Sequence, residues 1–432
     1  MSSIQPIFNI LSWQEKVLLV LTSMVFVAQP LPFVTAKLAV IVLAVCGLWI
    51  LLFPDMSFYK KREIGKNAGF RQILLIFLLL GVPGLISLCG TYNIQKTLWF
   101  VLLIPVFFAA GIAMYSLFSN QRTAKILVTI IAVCSILWII DALVQGFVGT
   151  DVLGISNEKR GRWGSRVTGP FNGNNHLGML LAVTLPVTLK WLSRFHIVLQ
   201  LLYISMLGFV LLLTGVKTNW ITFVLAIICF YWFVRGGRRS LLCILVPLLI
   251  GSVWAANSYS PLASKKLNQL TSVPTTLEGW DKKSTGRLHI WAAAWNMGME
   301  NPLTGVGAKS FKYAYLDHKA HWDPSGYKGK PRITTHSHAE HQWISIFAET
   351  GFLGVICLAG TVLLVICLAV RSPYGFNFYH YPWLLTFLLI LNPINSIPPL
   401  FKMWFFPIFL LAIISQISAV ENAEREIDTG IV

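Results

Sequence analysis

The segment Trp343–Val370, WISIFAETGFLGVICLAGTVLLVICLAV, decides the fold class of this chain. It is 28 residues long, and its only charged side chain is Glu349. A helix needs about 20 mostly apolar residues to cross the hydrocarbon core of a bilayer, so this segment is long enough to span a membrane. An acid inside such a helix is costly unless it faces a polar cavity, so we expect Glu349 to line the interior of a helical bundle.

Similar apolar runs continue on both sides of this segment. The 432 residues are 56% apolar and 12% charged, whereas soluble domains are roughly 45–50% apolar and about 25% charged. This composition excludes a soluble enzyme and predicts an all-α polytopic membrane protein of about twelve transmembrane helices. The predicted spans lie near Lys16 to Val27, Leu38 to Phe53, Gln72 to Leu88, Thr97 to Phe118, Ile126 to Val148, Leu177 to Trp191, Ile197 to Thr214, Trp220 to Val234, Leu241 to Ala256, Trp343 to Val370, Trp383 to Leu391 and Phe401 to Val420.

Basic residues in the short loops set the predicted orientation. They occur after spans two, four, six, eight and ten, which predicts that these loops and both termini are cytoplasmic, because cytoplasmic loops carry an excess of Lys and Arg. Residues 1–259 then form spans one to nine with short loops, and residues 260–342 form one large, mainly helical loop domain outside. Residues 343–420 carry spans ten to twelve, and residues 421–432 form a cytoplasmic tail.

One short outside loop, residues 149–174, is basic and opposes this orientation. Its cations are Lys159, Arg160, Arg162 and Arg166. Attraction to anionic lipid, worth about 1 kcal/mol per cation near a charged surface, explains such a loop. A site for a polyanionic substrate at the membrane surface explains it equally well. Nucleic acid is not expected, because no regular basic and aromatic platform is present.

Six of the nine histidines lie in the predicted loop domain, and three of them fall in TTHSHAEHQ just before span ten. Imidazole titrates near neutrality, so His336, His338 or His341 could take a proton from a sugar hydroxyl, with Glu340 fixing the tautomer. They could also simply form hydrogen bonds at the helix entrance. Zinc ligation by the three, with Glu340 or Asp323, is a weaker alternative, because His-x-His does not share one face of a helix. We predict no metal and no cofactor.

Two cations and one Asn-rich segment also occupy positions suited to an anion. Arg287, in STGRLHIW, stands at a predicted helix start, where guanidinium and free amides together form an anion cradle. Lys217 lies in a very short connection between spans seven and eight, at the depth of a lipid phosphate. Alternatively, both are solvated or lipid-facing cations. The segment Arg166–Gly178, RVTGPFNGNNHLG, either permits tight re-entry of the chain or binds sugar or phosphate through amides such as that of Asn175.

Three blocks of this sequence resemble the O-antigen ligase and polymerase superfamily of bacterial envelope glycosyltransferases. Arg166–Gly178 resembles the arginine, G-x-F and paired-Asn element of that family, and LTGVK (Leu213–Lys217) resembles its Thr-Gly-Ser-Arg element with lysine in place of arginine. The third block begins with GRLHIW and ENPLTGVG (Gly286–Gly307) and continues through HAEHQWI and AETGFLG (His338–Gly354). It resembles the family signature of an arginine, N-P-x-x-G-x-G, a histidine and a glycine-terminated helix entry.

The resemblance implies a reaction and roles for these residues. Members take a glycan from undecaprenyl pyrophosphate on the periplasmic side and join it to an acceptor hydroxyl, with inversion and without a metal. Arg287 and Lys217 would hold the pyrophosphate, and His338 would activate the acceptor, with His336 and His341 as rivals. His341 stands where many relatives have asparagine. The expected substrate-binding set is Lys217, Arg166, Arg160, Arg162, Asn175, His336, Glu340 and His341, beside the catalytic His338 and Arg287.

The resemblance favours an inner-membrane O-antigen ligase that transfers O-antigen polysaccharide to the lipid A core of lipopolysaccharide. Its partners would be the undecaprenyl pyrophosphate-linked donor, the lipid A-core acceptor and membrane lipids. An O-antigen polymerase or a protein O-oligosaccharyltransferase of the same superfamily remains open. A transporter of lipid-linked sugar is the alternative from another class, although it should show an internal repeat or polar residues along many helices. The sequence predicts no oligomeric state.

Overall fold

The computed structural model describes most of the chain, with gaps mainly in its loops. The described residues are 11–31, 33–53, 68–118, 120–154, 166–171, 176–233, 246–247, 250–251, 254, 274–284, 286–319, 336–373, 375–378, 380–394 and 399–428. They are 79% helical and include no β-strand.

Fourteen helices of seven residues or more are described within these ranges. They are α1 (Trp13–Val27), α2 (Phe33–Leu52), α3 (Ala68–Ile86), α4 (Ile94–Phe118), α5 (Gln121–Val148), α6 (His176–Leu192), α7 (Ile197–Thr214), α8 (Lys217–Trp232), α9 (Leu277–Lys283), α10 (Leu288–Glu300), α11 (Phe311–His318), α12 (Gln342–Arg371), α13 (Pro382–Ile390) and α14 (Phe406–Asp428).

Seven of the described helices are long and apolar enough to cross a membrane: α2, α3, α4, α5, α7, α12 and α14. The prediction of an all-α polytopic membrane protein is therefore confirmed. The predicted eleventh span corresponds to α13. The nine residues of this helix rise only about 13 Å, which is less than the hydrocarbon core of about 30 Å. The predicted ninth span, Leu241 to Ala256, lies almost wholly outside the described residues.

Helices α6, α13 and α14 form the centre of the bundle. Every residue from Leu177 to Leu189 of α6 is buried, which explains why this helix is apolar on all sides. Helix α13 packs against both α6 and α14, and α14 packs against α4. The remaining long helices expose apolar side chains such as Leu48, Trp99 and Ile356, as lipid-facing helices do.

Helix α12 is interrupted at Gly351, which has φ 65° and ψ −164°. The turn 301–307, with the sequence NPLTGVG, fills the interruption. The N–H of Val306 donates to the carbonyl of Ala348 at 2.9 Å, and the N–H of Gly307 donates to that of Glu349 at 3.0 Å. A Cβ on Gly351 would collide with the Pro302 carbonyl oxygen, so both this backbone conformation and the close approach require glycine.

The segment before α12 forms a small helical layer with its own apolar cluster. Helix α10 packs against α11 and α12, and α11 also contacts α12. The shared cluster is Ile290, Ala293, Ala294, Met297, Val306, Phe311, Ala314, Tyr315, Ala339 and Ala348. The described part of residues 260–342 is thus helical and fixed to the interrupted helix, while its assignment as a periplasmic domain stays a prediction.

Candidate active site at the N-terminal end of α12

His341 forms two structural hydrogen bonds. It is the N-cap of α12, where its Nδ1 accepts from the N–H of Ile344 at 3.3 Å. Its Nε2 donates to the carbonyl of Pro393 at 2.5 Å. Burial, together with the charge of Arg287, lowers the pKa of His341 despite the bond to Pro393. Both ring nitrogens are therefore occupied in joining α12 to the chain after α13, as in the helix-entrance alternative of the sequence analysis.

His338 has a different environment. Its Nδ1 lies 2.7 Å from the hydroxyl of Ser337, and the described residues place no hydrogen-bond partner on its Nε2. Burial, followed by the charge of Lys402, lowers the pKa of His338 to about 4. The ring is therefore neutral at pH 7, and its Nε2 can accept a proton in the tautomer whose Nδ1 donates to the Ser337 hydroxyl.

His336 lies among the loop helices. Its ring centroid is 5.4 Å from that of His289 and 5.0 Å from that of Tyr315. His289 is itself buried and its Nδ1 lies 2.9 Å from a carboxylate oxygen of Asp281. His336 thus packs against a buried His–Asp pair that the sequence analysis did not identify.

Arg287 and Glu340 form the ion pair of the site. Arg287 directly precedes α10, with its N–H donating to Ser284 Oγ at 3.2 Å, as expected for this helix start. Its Nε donates to Glu340 Oε2 at 3.1 Å, and the two side chains are 22% and 44% exposed. The sequence predicted that Glu340 fixes the tautomer of a histidine. In the structure its carboxylate instead orients the guanidinium of Arg287. Within the described residues the Nη groups of Arg287 have no partner and are available to an anion.

Lys217 is close to Arg287. It is the first residue of α8, after the N-cap Val216 and the left-handed Gly215 that ends α7. The charges of Lys283 and Arg287 act on its ammonium. The structure therefore brings together the two cations that the resemblance assigns to the pyrophosphate, although 70 residues separate them in the chain.

The Arg166 segment packs beside the start of α8. The N–H of Val167 faces the carbonyl of Leu213 at 3.4 Å, so two of the family blocks are in contact. Gly178 of α6 lies so close to Asn219 and Thr214 that an added Cβ would crowd both side chains. Burial lowers the pKa of Arg166. Five residues of the sequence-based predictions lie outside the described residues: Lys159, Arg160, Arg162, Asn175 and Asp323.

Two partly buried lysines, Lys309 and Lys402, are not among the site residues predicted from the sequence. Lys402 acts electrostatically on His338 and on Glu340, and Lys309 precedes α11 with φ 61°. The signal in the sequence is that Lys402 is the only charged residue in the apolar run PPLFKMWFF. Among the described residues, no group of three or more His, Cys, Asp or Glu side chains is arranged to hold a metal ion.

These features define a polytopic helical membrane protein whose cations and imidazoles gather at one end of a broken helix. Residues 201–359 match the family model described as O-antigen ligase. This match covers less than half of the 432 residues and confirms a resemblance to the O-antigen ligase/polymerase superfamily, which consists of glycosyltransferase-like membrane enzymes. The Arg166–Gly178 block lies outside the matched residues. The matched residues run from α7 into α12 and include Lys217, Arg287 and His338. No curated protein matches the chain.

Proposed function

We propose that this protein is an O-antigen ligase of the bacterial inner membrane. It transfers O-antigen polysaccharide from undecaprenyl pyrophosphate to the lipid A-core oligosaccharide of lipopolysaccharide on the periplasmic side. The observation that carries the proposal is the gathering of Lys217, Arg287 and a neutral His338 at the entrance of α12. The proposal includes twelve spans, a periplasmic loop domain at residues 260–342 and a cytoplasmic tail at residues 421–432.

The reaction needs two functions, and the site offers a group for each. Breaking the bond between the sugar C1 and the pyrophosphate leaves negative charge on the departing oxygen, which the cations Arg287 and Lys217 stabilise, with Arg166 assisting. The acceptor hydroxyl attacks C1 from the opposite face, so the anomeric configuration inverts. Its proton passes to His338 as the new C–O bond forms. Fixed cations take the place of a divalent metal in this scheme.

The surroundings of the three histidines support His338 as the base. His341 uses both ring nitrogens for Ile344 and Pro393, so protonating it would break the cap of α12. His336 packs against His289 and Tyr315. A pKa of about 4 makes His338 a weak base on its own, and a bound anion raises that pKa by offsetting the nearby positive charge.

Transfer by purified protein tests the proposal. The full-length protein in lipid vesicles receives the lipid-linked glycan and core lipid, without nucleotide and with a chelator. We expect core lipid carrying the polysaccharide from the parent protein and at least a hundredfold slower transfer from Arg287→Ala and His338→Ala. The controls are Arg122→Ala and His196→Ala, which alter an exposed cation and an exposed helix cap away from the site.

Each alternative gives a different product in this assay. Longer carrier-linked glycan would identify a polymerase, glycosylated protein a protein O-oligosaccharyltransferase, and movement of the donor without any new glycosidic bond a transporter. Full activity of Arg287→Ala and His338→Ala would show that the site is elsewhere. Loss of activity with chelator and its recovery with zinc would contradict the metal-free mechanism.

A further inference from the structure

A buried carboxylate and a buried imidazole form a pair beside Arg287. Asp281 lies in α9 and His289 in the first turn of α10, and each residue is only 5% exposed. One carboxylate oxygen of Asp281 lies 2.9 Å from His289 Nδ1, and the other accepts the backbone N–H of His289 at 3.2 Å. Hydrophobic side chains in such a place are often at least as stabilising as a buried acid–base pair, so stability alone does not account for these two residues.

The carboxylate of Asp281 supplies a cap that α10 otherwise lacks. Arg287 is the N-cap residue of α10, and its own side chain makes no capping hydrogen bond. The first N–H groups of a helix have no partner inside the helix, and a negative charge beside them is favourable. Asp281 satisfies the N–H of His289, the second residue of α10, from eight positions earlier in the chain. The first turn of α10 is thereby tied to α9.

The backbone on the other side of Arg287 is tied to the same residue. The carbonyl of Asp281 accepts the N–H of Gly286 at 2.7 Å and the hydroxyl of Ser284 at 2.8 Å. The Ser284 hydroxyl oxygen in turn accepts the N–H of Arg287 at 3.2 Å. Gly286 has φ 81°, and a Cβ on it would come within 3.2 Å of the His289 ring. Asp281 therefore holds the chain before Arg287 through its carbonyl and the chain after it through its carboxylate.

The guanidinium of Arg287 depends on this backbone support. Its Nε donates to Glu340 Oε2 at 3.1 Å, but the Glu340 side chain is itself 44% exposed. A second tie comes from α10, where Trp291 Nε1 donates to the carbonyl of Ala339 at 3.0 Å. Both contacts require the first turn of α10 to keep its place. Because a displacement of about 1 Å can cost a reaction about a hundredfold in rate, loss of the ties to Asp281 should slow transfer.

We propose that Asp281, paired with His289, is a positioning residue that holds Arg287 where its Nη groups meet the leaving pyrophosphate. The proposal rests on the proposed function and adds a residue outside the cations and imidazoles of the site. Asp281 need not touch the substrate, because it acts through the backbone on both sides of Arg287. Arg287 matters most when charge develops on the departing oxygen, so the defect is expected in kcat rather than in KM for the donor.

Two substitutions at one position test this role in the vesicle transfer assay. Asp281→Ala removes both side-chain oxygens and should lower kcat about 30-fold, with the donor KM within about threefold of the parent value. Asp281→Asn keeps the shape, because its amide oxygen can accept the N–H of His289 and its NH2 group can donate to His289 Nδ1 in the other tautomer. It should keep kcat within about fivefold of the parent. If Asp281→Asn is as impaired as Asp281→Ala, Asp281 does not act by holding this geometry and the proposal is wrong.

A double-substitution cycle separates positioning from a general loss of structure. Adding Asp281→Ala to Arg287→Ala should lower kcat less than about threefold further, because the group to be positioned is already gone. A full additional loss would show that Asp281 acts independently of Arg287, which overturns the proposal. The matched control is Tyr231→Phe, which removes a buried hydrogen bond to Gln200 at 2.9 Å near the far end of α8 from Lys217. It should lower stability without changing transfer per folded molecule.

The remaining outcomes distinguish this role from the proposed function. If Arg287→Ala transfers glycan as fast as the parent, the proposed site fails and Asp281 has nothing to position. If Arg287→Ala is slow while Asp281→Ala transfers at the parental rate, the site stands and only the positioning role is wrong. A raised donor KM with unchanged kcat for Asp281→Ala would assign Asp281 to binding of the donor and would also overturn the proposal.

Discussion

Charged side chains at the two ends of the helical bundle differ in how many hydrogen-bond partners they have within the protein. At the end where α1, α3 and α5 begin, acids are satisfied within the protein. The carboxylate of Glu421 accepts the N–H of Gly69 at 2.7 Å and the hydroxyl of Tyr115 at 2.7 and 2.9 Å. At the other end Arg287 is paired with Glu340 through Nε alone. Saturated acids indicate a structural role, whereas cations with unused donors indicate a ligand.

The largest expected effect is the loss of transfer activity when Arg287 is replaced. Arg287→Ala should lower the rate of transfer by about 10²–10³, because one electrostatic group at a site of developing charge contributes that much. Its thermal stability should stay near that of the parent, since the Arg287–Glu340 pair is partly exposed. Rate and melting temperature are measured on the same preparation. A large fall in stability with unchanged transfer per folded molecule would show that Arg287 has a structural role, like that of Glu421.

The next effect concerns the broken helix between the two ends. Gly351→Ala should destabilise the protein by about 2–4 kcal/mol, because φ 65° and contact with Pro302 both exclude a Cβ. Gly360→Ala in the same helix is the matched control, with only ordinary contacts to Leu79. It should be neutral or stabilising by up to about 1 kcal/mol. Chemical unfolding measures the free energy of unfolding of both variants. Equal values would show that a Cβ at Gly351 destabilises the protein no more than a Cβ at Gly360.

A smaller effect is expected when Glu421, at the other end of the bundle, is replaced. Glu421→Gln removes a charged acceptor from Gly69 and Tyr115 and should cost about 1–3 kcal/mol of stability. Transfer per folded molecule should not change, because the side chain lies at the opposite end of α14 from Lys402. Melting curves and transfer rates check this. A loss of transfer without a loss of stability would link this end to the reaction.

The smallest effect is a shift in pH dependence. His338 acts in its neutral form, and its pKa of about 4 keeps transfer constant from neutral pH down to about pH 5. The positive charge of Lys402 contributes to that low pKa, so Lys402→Met should raise it and move the acidic limb to higher pH. The normalised profile of kcat/KM for the acceptor measures the shift. An unmoved limb would show that Lys402 does not act on the base.

The sequence predicts the features that depend on local pattern. Apolar length identifies the helices that are long enough to cross a membrane. The close contact of Gly351 with Pro302 was not predicted from the sequence. The resemblance pairs Lys217 with Arg287, and the structure brings them together. The prediction of membrane helices succeeds because hydropathy is a property of short segments, whereas the roles of Lys217 and Arg287 stay a prediction.

Other features depend on partners that are distant in sequence. The cap formed by His341 is completed by the carbonyl of Pro393, 52 residues away, so no local pattern distinguishes this histidine from His338. Glu340 pairs with Arg287 across 53 residues rather than with a neighbouring histidine. Hydropathy alone predicts a full span for the short α13, because it does not reveal that both ends of this helix, at Tyr381 and Leu391, are buried in the protein.

The turn 301–307 limits how this protein can change. Its amides at Val306 and Gly307 match two consecutive carbonyls of α12, those of Ala348 and Glu349. A single residue inserted between Pro302 and Val306 would shift that register and leave buried acceptors without donors. The loop helices and the membrane helix are therefore joined at a fixed spacing.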